Sequence, residues 1–108
     1  MRNTRLKAIP CTISRGGFSE ERVFTFELNG EQYKGIASRR HMWTAEGKPL
    51  ESGEPPVGQE ITGLVAARVL EVDTAQTAKV SIPDGEVVTL PLTQLVDRPS
   101  EVDDHVPV

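Results

Sequence analysis

The chain has 108 residues, 37% of them hydrophobic and 26% charged, with a net charge of −4; that is one folded domain's worth of chain and too little for two. No run approaches the ~18 apolar residues of a membrane-spanning helix, and the charge is too small for a disordered polyelectrolyte. One cysteine excludes an internal disulfide framework and a zinc site built on several thiolates.

Val, Ile and Thr together make up 26 residues, and β-branched side chains favour the pleated surface of a sheet over a helix. No window carries a sustained 3.6-residue apolar stripe, while eight prolines and nine glycines cut the chain into short runs. An all-β fold follows: about six strands with no long helix, forming either a small antiparallel barrel (SH3-like or OB-like) or a two-sheet sandwich. Residues 1–96 form this domain, with a loop at 46–58 joining its halves, and 97–108 form an acidic tail expected to fray.

In chain order, residues 1–10 (MRNTRLKAIP) are basic but lack the apolar core of a secretory signal, so a cytoplasmic location is expected. Residues 7–14 alternate, with Ile9, Cys11 and Ile13 on one side. Pro10 cannot donate to a ladder, which predicts an edge strand or a bulge, and the unpaired edge is a candidate partner surface. Gly16-Gly17 lacks the Lys-Ser/Thr of a phosphate-binding loop and reads as a turn before Phe18.

Residues 22–37 form the clearest hairpin, because both central positions of its turn need positive φ and Asn29-Gly30 supplies them. A two-residue loop pairs Leu28 with Glu31, Phe26 with Tyr33 and Phe24 with Gly35. Phe24, Phe26, Leu28 and Tyr33 then share a core face, with Phe24 lying over Gly35.

The stretch Ser38-Arg39-Arg40-His41-Met42-Trp43-Thr44 is the candidate binding cluster. Arginines contact phosphates, and Trp and His stack on unpaired bases; Trp and Arg are equally the residues of protein hot spots. Alternatively, Met42 and Trp43 are core anchors. A nucleic-acid site would need Arg39, Arg40, Arg15 and Lys34 to converge on one face.

Residues 46–58 hold three Pro, three Gly and three Glu and read as an exposed loop. The apolar run 59–72 has a candidate bend at Gly63, where it changes partner or sheet. Residues 78–90 form a second hairpin in which two registers compete. A three-residue Pro83-Asp84-Gly85 loop pairs Val80 with Val88 and Ala78 with Leu90, gathering the apolar set on one face, and it is selected for that reason. Leu90–Val96 reads as a strand end followed by one tight helical turn.

Residues 58–95 resemble the opening three strands of the oligonucleotide-binding-type domain repeated in a ribosomal small-subunit protein, through Gly58, Gly63-x-Val65 and Pro91-Leu92-x-x-Leu95. The resemblance covers three strands, and too few residues follow Leu95 for the closing strands of that domain. The base-stacking aromatics of that domain are missing here, and no family is assigned from it.

No enzyme is expected. Cys11 sits on an apolar face as a buried thiol, and Asp103-Asp104-His105 in the tail reads as a solvated end rather than a metal site. Residues 1–48 carry nine Lys and Arg against five Glu, and residues 49–108 carry three basic against eleven acidic residues. With a negative balance overall, a protein partner or a second copy is expected ahead of single-stranded nucleic acid, without membrane, cofactor or metal.

Overall fold

The computed structural model describes residues 5–99, and its strands lie where β-branched and aromatic residues alternate with polar ones. They are β1 (Leu6–Arg15), β2 (Glu21–Leu28), β3 (Glu31–Ser38), β4 (Met42–Thr44), β5 (Ile61–Val72), β6 (Thr77–Ser81), β7 (Val87–Pro91) and β8 (Val96–Asp97). Two single 3₁₀ turns, Arg39–His41 and Leu92–Gln94, complete the inventory, and no α-helix occurs among the described residues. None is therefore long and apolar enough to cross a membrane.

All strands belong to one open, curled sheet in which β3-β2-β1-β5-β6-β7 run side by side as a half-barrel. The order has an internal two-fold logic. Each half is a three-stranded meander followed by a 3₁₀ turn and a short strand, and the first strands β1 and β5 pair antiparallel from Leu6↔Arg68 to Ile13↔Ile61. The short strands are exchanged, β4 pairing with β5 and β8 with β1.

Both predicted hairpin registers are present. Leu28 pairs with Glu31, Phe26 with Tyr33 and Phe24 with Gly35, around Asn29 and Gly30 at φ of 54° and 88°. Val80 pairs with Val88 and Ala78 with Leu90, with Gly85 at φ 93° closing the three-residue loop. The two hairpins fold over the same concave face and meet there. Tyr33 Oη donates to Asp84 Oδ2 at 2.5 Å, and Asn29 Nδ2 and Gln94 Nε2 donate to the carbonyls of Thr89 and Glu27. Between them lies the main core, including Ile9, Ile13, Phe24, Met42, Val65 and Leu90. The aromatic face belongs to it, with the Phe26 and Tyr33 ring centroids 5.2 Å apart.

Gly35 is where this closure is tightest. A Cβ there would overlap both the Phe24 ring and the Asp84 carboxylate. Gly35→Ala is expected to cost about 1–3 kcal/mol through this overpacking, read as a lower midpoint in denaturant. A wild-type midpoint would show that the hairpins do not rest on one another here.

Three expectations are corrected. Residues 7–14 are not an edge: β1 lies between β5 on one flank and β8 and β2 on the other. On that second flank β8 pairs with Lys7 and Ala8 and β2 with Thr12–Arg15, so Pro10 falls in an interval without a partner strand. Such a local edge inside a central strand is what a proline tolerates. Gly63 is not where β5 changes partner; it lets β4 approach, since a Cβ would overlap the Trp43 carbonyl and Ile13 Cδ1. The outer flank of β5 passes from β4 at residues 63–65 to β6 at 68–72, with a bulge between Val69 and Glu71. Finally, the 46–58 loop is not wholly exposed. Leu50 is buried in the core, and the Pro55 side chain is also fully buried.

Asp97 and Arg98, assigned above to the tail, are docked on β1. Lys7 Nζ meets Asp97 Oδ1 at 2.8 Å, and Arg98 donates to the Lys7 and Ala67 carbonyls. Residues 100–108, including Asp103-Asp104-His105, lie outside the described residues.

Candidate functional site

The 38–44 cluster is contiguous in sequence but not in direction. Ser38 Oγ accepts from the Arg40 backbone N–H at 3.2 Å and starts the 3₁₀ turn, which sends successive side chains to different places. Arg39 turns inward: its Nε lies 2.7 Å from Glu20 Oε1 and its Nη1 donates to the Leu50 carbonyl at 3.0 Å. Met42 enters the concave core, whereas Trp43, on the opposite parity of β4, joins Ala8 and Ala66 in a small second core on the convex face. Trp43 is only 4% exposed, and the Arg98 guanidinium lies 5.7 Å from its ring centroid. It is a core anchor, not a stacking platform.

The four proposed cationic contacts do not converge. Arg40 is exposed on the turn, and Lys34 is exposed on β3 opposite Thr25. Arg15 points to the 46–58 loop, its Nε donating to the Pro55 carbonyl at 2.9 Å. His41 lines a shallow depression with Leu6, Arg68 and Arg98; burial first, and the Arg98 charge second, hold its imidazolium below the ordinary value.

Arg15 and Arg39 are instead the flanks of an arginine clasp whose centre the sequence reading missed. Arg22 shares the face of Phe24 and Phe26 and is fully buried, with no exposed surface. Its Nε donates to the Glu54 carbonyl at 2.7 Å, Nη1 to Ser19 and Glu21 at 2.8 and 2.9 Å, and Nη2 to Ser52 at 2.9 Å. Burial, followed by the nearby Arg15 charge, lowers its pKa from the usual arginine value. Together the three guanidiniums take up main-chain carbonyls of residues 50, 52, 54 and 55. Residues 48–50 bond to β4, and the remainder of the loop thereby has its buried acceptors satisfied. The available signal was parity: in an alternating strand, residue 22 lies on the side of 24 and 26.

Cys11 lines a different depression from His41, with Pro10, Thr12, Thr25 and Thr62 among its neighbours. Burial pushes its thiol up to about 12, the opposite of nucleophile activation. No group of three metal-ligating side chains occurs among the described residues. The Gly16-Gly17 turn is built as expected, with the Gly16 N–H on the Glu21 carbonyl and the Gly17 N–H on Glu21 Oε1 at 2.7 Å.

What remains exposed is a strand edge. β3 has β2 as its one neighbour among the described residues. In a hairpin closed by Leu28↔Glu31, ladder bonds alternate, so the N–H groups of Gln32, Lys34 and Ile36 face away from β2. At its far end Phe18 is 77% and Ile36 49% exposed, and both border a depression with Glu20, Ala37 and Ser38. The other sheet edge, β7, is shorter, ends in Pro91, and has its Thr89 carbonyl covered by Asn29.

No family model, curated protein or solved structure matches this chain.

Proposed function

We propose that this chain is a non-enzymatic protein-interaction domain, a curled sheet of the small-barrel kind (SH3-like or OB-like), that engages its partner along the β3 edge. The observation that carries this reading is the combination at β3 of outward-facing backbone donors with exposed Phe18 and Ile36. An unprotected edge is a template for a further strand, and apolar side chains beside it supply the desolvated area that polar backbone bonds alone do not. Nucleic-acid binding is disfavoured, because Arg15 and Arg39 are committed to the 46–58 loop and the net charge is −4.

The test is capture from nuclease-treated lysate by the wild-type chain, Phe18→Ser and Ile36→Lys. Both positions are exposed, so both variants should melt within about 0.5 kcal/mol of wild type. Protein retained by wild type and lost by both variants is the expected result. Nucleic acid retained without nuclease and lost in Lys34→Ala/Arg40→Ala would overturn it in favour of the nucleic-acid reading.

A further inference from the structure

We infer that the partner strand at this edge is β3 of a second copy, paired antiparallel about a two-fold axis at Gly35. The inference rests on the interaction reading above and names its partner. Its basis is the polarity of the strand. β3 begins at the exposed Glu31 and ends at a turn that carries the exposed Arg40. A parallel pairing would set like charges together at both ends. An antiparallel pairing of two identical strands brings each acidic end onto the basic end of the other, and a two-fold does this twice.

The register follows from the same residues. Inter-strand bonds must join the outward-facing positions 32, 34, 36 and 38. Centring the pair on Lys34 would set that lysine against its own copy, which like-charge repulsion disfavours. Moving one residue to Gly35 places Lys34 opposite Ile36 of the second copy and Gln32 opposite Ser38. Glu31 then reaches the turn of the other chain that carries the exposed Arg40. Gly35 faces Gly35, with no side chain of either chain between the backbones. Ile36 lies on the joined strands with Phe18 beside them, and the two half-barrels become one continuous sheet.

Two measurements test this. Sedimentation of the wild-type chain should show a concentration-dependent doubling of mass, lost in Ile36→Lys. Separately, Gln32→Cys and Ser38→Cys are mixed and oxidised. Positions 32 and 38 of opposing chains fall within the ~7 Å Cα separation a disulfide spans, whereas 32 and 32 stand about 20 Å apart along the strands. Cross-linked dimer should therefore form in the mixture and not in either variant alone; the buried Cys11 does not compete. A chain that stays monomeric up to about 0.5 mM, or cross-linking by a single variant alone, overturns the inference. If such a monomer still loses a lysate protein on Ile36→Lys, the interaction reading survives with a different partner. If it captures nothing, both fail.

Discussion

Replacing Arg22 by methionine is expected to destabilise the domain by roughly 3 kcal/mol or more, a fall of about 15 °C in melting temperature. Methionine fills much of the volume, so the loss isolates the hydrogen bonds. The carbonyls of Ser19, Ser52 and Glu54 lose this donor at once, while that of Glu21 keeps the Gly16 N–H, and an unsatisfied buried acceptor costs about 1–3 kcal/mol. Residues 51–58 should be released first, because residues 48–50 are also bonded to β4, whereas beyond Leu50 the arginine side chains take up the loop's carbonyls. Limited proteolysis should accordingly cut within residues 51–58 faster in Arg22→Met than in wild type. Arg22→Lys keeps the charge but brings three donors in place of a planar fork of five, and should recover only part of the loss. Wild-type melting of Arg22→Met would show that the clasp does not hold the loop.

Trp43→Ala is expected to cost about 3–5 kcal/mol, the range for truncating a buried aromatic. Trp43 is 4% exposed and fills the convex-face core with Ala8 and Ala66. Its removal also leaves the Arg98 guanidinium, 5.7 Å from the ring centroid, without its aromatic face. As the only tryptophan, it reports its own environment: emission should be blue-shifted in the native chain and shift red on unfolding. Any loss of partner capture in this variant should follow its melting curve, in contrast to Phe18→Ser and Ile36→Lys. A Trp43→Ala chain that melts like wild type would mean the ring contributes little to the fold.

The all-β class and both hairpin registers were legible in the sequence because each is decided locally. Asn29-Gly30 and Pro83-Asp84-Gly85 specify their turns through positive φ, and a one-residue slip of the second hairpin would move Val88 and Leu90 to the side of Lys79 and Ser81. Phe24 lying over Gly35 follows from the same register. The Asp84 carboxylate that meets the same face of Gly35 does not, since it arrives from the second hairpin, far along the chain, through the curl of the sheet. Pro10 shows how a sound local rule meets a non-local answer. It needs an edge, and the exchanged strand β8 ends on one side of it just before β2 begins on the other, leaving an edge inside a central strand.

The candidate site separates the two levels most clearly. Composition alone marked Arg39, Arg40, His41 and Trp43 as binding residues, but a single 3₁₀ turn distributes them among a loop, the solvent, a shallow depression and a core. The sequence by itself determined strand identity, turn type and which residues share a face, because these depend on neighbours one to four positions apart. Only the tertiary structure decided which arginines face carbonyls rather than a partner, and which strand is left at the open edge. Both depend on β1 and β5 joining the two meanders through their first strands, which leaves β3 outermost and brings the 46–58 loop over Arg22.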